Sequence, residues 1–239
     1  MAVKVERAIF LAAGMGSRLA PVTDVVPKPL VKVNGRRIIE TLLDAVLAAG
    51  IEEIYLVRGY HGEAFDILLQ DYPMVRFIDN PDYEFANNIS SVHCAGVFVR
   101  NAYIIESDLL LSNPGLIASY QEESNYLAIP VGKTDDWCFY LGEDGYISHM
   151  AVGGKNCEQM VGISYWSEKD GARLAERTAE LYSNPENRQL YWDEVALDKF
   201  LPEFRLRTRH CTRDDVVEID TLKELQEIDS SYIGITGGK

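Results

Sequence analysis

Residues 11–30 read LAAGMGSRLAPVTDVVPKPL, with two glycines, an arginine and a lysine set directly behind an apolar run. The run itself, Ala8-Ile9-Phe10-Leu11-Ala12-Ala13, is short and unbroken. That fits a strand covered on both faces, hence a central parallel strand, rather than the alternation of a half-exposed one. At Gly14 the run stops. Gly14 and Gly16 let the chain turn sharply and bring backbone N–H groups to an anion without a Cβ in the way. Arg18 and Lys28 then offer charge-assisted bonds to phosphate oxygens, Arg18 as a planar fork and Lys28 as a point charge within Pro27-Lys28-Pro29. The stretch suits a nucleoside triphosphate. A dinucleotide fingerprint would need a third glycine at position 19, which is Leu, and no Gly-Lys-Ser/Thr of an NTPase phosphate loop occurs.

Outward from this turn the first half alternates. Strand-like runs near 53–58, 75–79 and 102–106 are interleaved with helix-like segments near 38–49, 62–70, 89–98 and 113–122. The pattern predicts βαβ units on a mostly parallel sheet, with ligands beyond the strands' carboxyl ends. From about 126 strands dominate: 126–131, 138–142, 146–151 and 158–166, with a turn signal at Gly142-Glu143-Asp144-Gly145. Helices near 168–182 and 188–200, a strand near 215–219 and a last helix from Thr221, which has capping-box spacing to Glu224, complete the chain. The fold class expected is α/β: a Rossmann-like, mixed but mostly parallel central sheet with flanking helices and a small β extension over the site. One domain, 1–239, accounts for the length, with residues 1–125 as a nucleotide-binding half and 126–220 as an acceptor-binding half.

Composition excludes several classes. A net charge of −14 argues against nucleic-acid binding, which sums many Lys and Arg contacts to phosphate. Arg7, Arg18, Lys28, Lys32, Arg36 and Arg37 make the N-terminal region locally basic, as an isolated anion pocket requires. There is no transmembrane run to insert in a membrane and no signal-like N-terminus, so a cytoplasmic location is expected. Cys94, Cys138, Cys157 and Cys211 lack CxxC spacing and are expected to be reduced.

Leu11-Ala12-Ala13-Gly14-Met15-Gly16-Ser17-Arg18-Leu19, followed by Pro27-Lys28-Pro29-Leu30, resembles the signature of nucleotidyltransferases that join a nucleoside triphosphate to a phosphorylated small molecule and release pyrophosphate. The resemblance implies the nucleotidyltransferase fold. It also implies nucleotide-binding roles for Leu11, Ala12, Ala13, Gly14, Met15, Gly16, Ser17 and Arg18, and catalytic roles for Arg18 and Lys28, with Lys28 near both the α-phosphate and the acceptor's phosphate. No hexapeptide repeat follows, so the β-helical tail of some sugar nucleotidyltransferases is not expected.

Nucleotidyl transfer needs positioning and charge neutralisation, usually by Mg²⁺, more than covalent help. Asp108 and Asp220 each follow an apolar strand, where carboxylates could hold such an ion; they could also simply end a strand and cap a helix. The resemblance places its metal-binding aspartates here and gives Asp108 a part in catalysis. Glu106 is a departure, since related enzymes often have Asp two residues before the metal aspartate. His61, His93, His149 and His210 form no metal-ligand pair and need have no catalytic part, because a phosphonate or phosphate oxygen is already ionised.

In Phe85-Ala86-Asn87-Asn88-Ile89-Ser90-Ser91, Asn88 and Ser91 carry the donors and acceptors that a pyrimidine edge requires, although Asn88 or Ser90 could equally cap a helix. This Asn-Asn-x-x-Ser stretch resembles that of cytidylyltransferases acting on phosphocholine and related phosphoamines, which favours CTP. The second half sets aromatics beside carboxylates in Asp135-Asp136-Trp137, Phe139-Tyr140, Tyr165-Trp166 and Tyr191-Trp192-Asp193. Such pairs suit an ammonium group, each cation–π contact being worth roughly 0.5–2 kcal/mol, though any single ring could be core. Similarity to the phosphocholine enzymes selects Trp137, Tyr191 and Asp193 for the acceptor pocket, and Asp136 joins them as a carboxylate beside Trp137. Gly153-Gly154-Lys155-Asn156-Cys157 could form a second anion-binding turn through Lys155 and Asn156, or a plain hairpin; it resembles the branch acting on 2-aminoethylphosphonate. A primary ammonium wants hydrogen-bond acceptors, and the carboxylates near the rings lean that way. The expected acceptor is therefore 2-aminoethylphosphonate, the alternative phosphocholine. A sugar 1-phosphate fits less well, and a non-catalytic nucleotide sensor is the alternative of another class.

Overall fold

The computed structural model describes residues 1–236. Seven strands make the central sheet, and naming them in chain order requires two short ones outside it. They are β1 (Arg7–Ala12), β2 (Glu53–Arg58), β3 (Val75–Asp79), β4 (Ala102–Glu106), β5 (Leu109–Leu111), β6 (Asn125–Leu141), β7 (Ile147–Trp166), β8 (Arg207–His210) and β9 (Val216–Glu218). The sheet runs β8-β6-β7-β4-β1-β2-β3. Four of its pairings are parallel, and β7 is antiparallel to both β6 and β4. The mixed, mostly parallel sheet expected of the sequence is therefore present.

β1 is central and covered on both faces. Ala8, Phe10 and Ala12 join one core with Leu42, Leu43 and Val46 of α1 (Ile38–Ala48), while Ile9 and Leu11 join the other with Ile89 and Val92 of α2 (Ile89–Ala95). Strand alternation sends neighbours to opposite faces, so past Arg7 at its start this doubly covered strand has no polar position. That second core also holds Leu174 of α3 (Glu168–Tyr182) and Trp192 of the turn α4 (Trp192–Glu194). The final helix α5 (Leu222–Ile228) begins with the capping box expected at Thr221 and Glu224.

Several expectations are corrected. Segment 113–122 is not a helix: it is a 3₁₀ turn at Pro114–Leu116 and a two-residue strand at Tyr120–Gln121 pairing with Val3–Lys4. Pro114 and Gly115 occupy its first turn, and the backbone groups that follow are taken by the N-terminal strand. Residues 62–70 adopt 3₁₀ geometry, burying Phe65 and Leu68 at i, i+3 spacing. The helix placed at 188–200 starts only at Trp192 and passes into a π turn over Val195–Lys199. The four short strands of the second half are one long hairpin, β6 and β7, reversing at Gly142–Gly145 as expected, where Gly145 has φ +76°. Gly153-Gly154-Lys155-Asn156-Cys157 is consequently strand, not turn: Gly154 pairs with Thr134 and Lys155 with Lys133. Positive φ at Gly153 and Asn156 is absorbed there as a local irregularity of the ladder. Among the described residues no helix is long and apolar enough to cross a membrane.

Candidate active site

The turn after β1 and the ends of β4 and β9 meet at one place. Gly16 adopts φ +61°, and a Cβ there would come within 2.9 Å of Lys28 Cβ, so glycine permits both the left-handed turn and the approach of the lysine stem. Thr23 Oγ1 donates to Gly16 O at 2.9 Å and fastens the loop to the segment leading to Lys28. β5 and β9 pair antiparallel with Glu218 opposite Leu109, and Ile219 N donates to Asp108 O. Through this small ladder, Asp108, Glu218 and Asp220 present carboxylate oxygens within 4.8 Å of one another.

Lys28 lies among these acids, its side chain 9% exposed. Its Nζ donates to Asp108 Oδ2 and to Asp220 Oδ1, each at 2.7 Å. Arg18 Nη2 donates to Asp220 Oδ1 at 2.8 Å. Burial alone would lower the Lys28 pKa, but its ion pairs with Asp108 and Asp220 hold it above the usual lysine value. Asp220 is opposed by burial and yet held below the usual carboxylate range by Lys28 and Arg18. Glu218 stays exposed, yet crowding by the cluster strips part of its water and Asp108 and Asp220 repel its charge, so its carboxyl is pushed up to about 8. Asp220 does not cap α5, since Thr221 Oγ1 accepts from Glu224 N; its carboxylate is left to the cluster.

Three oxygen-bearing acids are a donor set suited to a hard divalent cation. Asp108 Oδ1 fits that reading, because it is buried without any hydrogen-bond partner. Glu218 escaped the sequence reading, although Glu218 and Asp220 stand two apart in an extended segment and therefore share a face.

A cleft of ≈ 300 Å³ is lined by Leu11, Ala12, Ala13, Gly14, Gly16, Ser17 and Arg18, and on its far side by Asn88 and Ser91. All the residues expected to hold nucleotide are brought to it except Met15, whose side chain is half exposed. No protein atom lies within 4 Å of a Cβ placed on Gly14, so the space beside that backbone belongs to the cleft. Asn88 makes no capping bond. Its Oδ1 accepts from Trp192 N at 2.9 Å and its Nδ2 donates to Glu106 Oε1 at 3.4 Å, leaving one N–H free. Ser91 Oγ accepts from Asn80 Nδ2 at 3.1 Å and keeps its own hydrogen to donate.

A neighbouring cavity of ≈ 510 Å³ brings Asp136, Trp137, Tyr191 and Asp193 together with Glu106, Met150, Met160 and Gly162. Trp137 and Tyr191 meet edge to face with centroids 5.7 Å apart. A shift of the β6–β7 register between Thr134 and Trp137 places that tryptophan, and Asp136 Oδ1 accepts from Trp137 N at 2.7 Å. Asp193, 6% exposed, accepts from Tyr126 Oη at 2.9 Å, and burial pushes its pKa up to about 7. Glu106 is raised well above its usual value by burial and then by Asp108 and Asp193. Tyr165 and Trp166, by contrast, are core. Lys155 and Asn156 are exposed on β7 and line neither space.

The profile of the MobA-like NTP transferase domain matches residues 8–180. A 2-aminoethylphosphonate cytidylyltransferase of Lancefieldella rimae is 37% identical over 229 residues, spanning 95% of this chain and 93% of that protein. A choline-phosphate cytidylyltransferase of Haemophilus influenzae is 30% identical over 226 residues, spanning 92% of this chain and 95% of that protein. The solved structure of a CTP:phosphocholine cytidylyltransferase from Streptococcus pneumoniae superposes with a TM-score of 0.87 at 28% identity, over 96% of this chain and 99% of that one.

Proposed function

Because the chain belongs to the MobA-like NTP transferase family and is a nucleotidyltransferase, we propose that it joins CMP from CTP to 2-aminoethylphosphonate and releases pyrophosphate. The observation that carries the choice of acceptor is the second cavity, where the buried carboxyl of Asp193 lies beside the Trp137–Tyr191 pair. A primary ammonium can donate hydrogen bonds to carboxylates while resting against aromatic faces; trimethylammonium can use only the faces. The 37% identity to a 2-aminoethylphosphonate enzyme supports the same acceptor.

In this reading the phosphates of CTP lie along Gly14–Arg18 and the pyrimidine faces Asn88 and Ser91. Asn88's free N–H and Ser91's hydroxyl hydrogen are donors for the base's carbonyl and ring nitrogen. Asp108, Asp220 and Glu218 would hold Mg²⁺, which when bound withdraws charge from the α-phosphate. Lys28 has three N–H groups, two of them on Asp108 and Asp220, and the third is free to hold the acceptor's phosphonate oxygen in line with the pyrophosphate. That oxygen attacks the α-phosphorus as the bond to the β-phosphate's bridging oxygen breaks. It arrives ionised, so no general base is required. The CMP-linked product is suited to transfer onto a lipid or glycan.

Phosphocholine is the second reading, favoured by the aromatic pair and by the two phosphocholine relatives. Pyrophosphate release from CTP and Mg²⁺ is the test, with 2-aminoethylphosphonate, phosphocholine, phosphoethanolamine and a sugar 1-phosphate compared at equal concentration. The phosphonate should lead. Phosphocholine in front would replace the acceptor, and silence with every acceptor would favour a nucleotide sensor.

A further inference from the structure

Arg18, Asn88, Glu106, Asp108 and Asp220 line both the nucleotide cleft and the neighbouring cavity. Phosphate, base and metal account for four of them. Glu106 has no such task, yet its Oε1 accepts from Asn88 Nδ2 on the base side at 3.4 Å and from Trp192 Nε1 on the acceptor side at 3.0 Å. Asn88 Oδ1 closes the triangle by accepting from Trp192 N at 2.9 Å. Trp192 stands between Tyr191 and Asp193, the two pocket residues of that segment.

The site is also shaped for a glutamate. A Cβ on Gly162 would lie 2.6 Å from Glu106 Cγ and 2.7 Å from Glu106 Cβ, atoms at the root of the side chain that cannot swing aside. Gly162 sits on β7 without a positive φ, so its glycine serves this close approach and not the backbone. An aspartate at 106 would be one methylene shorter and fall about 1.5 Å short of the same donors.

We propose that Glu106 is a positioning residue that joins the two substrate sites, holding Trp192, and with it Tyr191 and Asp193, in register with Asn88, and that Gly162 makes room for it. The inference rests on the assignment of the two spaces to nucleotide and acceptor. A base bonded to Asn88 fixes that amide, the amide fixes Trp192, and the acceptor pocket is ordered before the acceptor arrives. Coupling of this kind is reciprocal, so the acceptor must tighten nucleotide binding by the same factor.

The test is calorimetric binding of 2-aminoethylphosphonate with and without CMP, which has no pyrophosphate to lose, and the same titrations in reverse. Wild-type protein should bind acceptor about fivefold tighter or more when CMP is present. Glu106→Gln keeps an accepting oxygen and should preserve that ratio. Glu106→Ala and Gly162→Ala, each checked for a cooperative melt, should bring it below about twofold. A merely structural role would weaken both ligands and leave the ratio alone. No coupling in the wild type, a preserved ratio in Glu106→Ala, or loss in Glu106→Gln as severe as in the alanine variant would overturn the proposal. If no acceptor binds, the acceptor reading fails by itself. Tryptophan fluorescence on adding CMP then decides: it should change in the wild type and in Glu106→Gln but not in Glu106→Ala, and an equal change in all three refutes the link.

Discussion

Replacing Lys28 with Met retains much of the stem's volume and removes the ammonium from among Asp108, Asp220 and Glu218. Breaking a buried ion pair on one side costs roughly 3–5 kcal/mol, because the partner is left charged and unpaired. Here the side chains of Asp108 and Asp220 are 24% and 23% exposed, so water takes up part of the loss. An intermediate cost of about 2–3 kcal/mol is expected. At ~2–4 °C per kcal/mol for a chain of this size, the melting temperature in chelator should fall by roughly 4–12 °C. Adding millimolar Mg²⁺ should recover much of that, since a cation bound by the folded state offsets the charge of the same carboxylates. Turnover should fall on the order of 10²–10³ in kcat, even with saturating metal. Thermal melts with EDTA and with Mg²⁺, paired with pyrophosphate release, measure all three effects. A variant that melts within a degree of wild type in EDTA would refute the electrostatic reasoning, and intact turnover would remove Lys28 from the mechanism.

Asp193 carries a pH prediction. Its carboxyl is raised to about 7 from an unfolded value near 3.8, so the fold binds a proton that the unfolded chain has released. Its contribution to stability is complete below the unfolded value and is lost as pH rises towards 7; Asp193→Asn should flatten the fall in melting temperature between about pH 4 and 7, in part only, because Glu218, raised to about 8, adds a slope of its own. An ammonium beside Asp193 favours its ionised form, so acceptor KM should drop as pH passes 7 in the wild type but not in Asp193→Asn, as initial rates across pH would show. Trp137→Ala should raise acceptor KM by roughly 2- to 30-fold with little change for CTP. Gly16→Ala forces a left-handed φ on alanine and drives its Cβ against Lys28; we expect about 1–2 kcal/mol of lost stability and at least a tenfold loss of kcat/KM. Equal kinetics for that variant would show that the loop tolerates a side chain.

Much of the architecture was legible because it is written in local periodicity. The doubly apolar run of β1, the alternation of β2, β3 and β4 with helices, and the Thr221–Glu224 box were each readable within a few residues. Segment 113–122 was misread because Leu116 and Ile117 enter the core against α1 from a 3₁₀ turn and its end, not from the face of a helix. The long hairpin was broken too early, since Gly153 and Gly154 signal a turn locally yet here lie within a paired strand. Lys155 and Asn156 looked like an anion site for the same reason. In the folded chain they are exposed on β7 and line neither cavity.

By itself the sequence determined what short-range sterics and hydrophobic period control: a glycine turn behind a buried strand, a parallel first half, and Arg18, Lys28, Asp108 and Asp220 as charges at element ends. Tertiary structure alone decided which of these charges meet. Lys28 lies 80 residues from Asp108 and 192 from Asp220, and only the β5–β9 ladder brings them and Glu218 within reach of one another. The raised carboxyls of Glu106, Glu218 and Asp193, and the bonds from Glu106 to Asn88 and Trp192, likewise have no local signature. A carboxylate's energy depends on how much water surrounds it and which charges lie within a few ångströms, and both are set by segments distant in the chain.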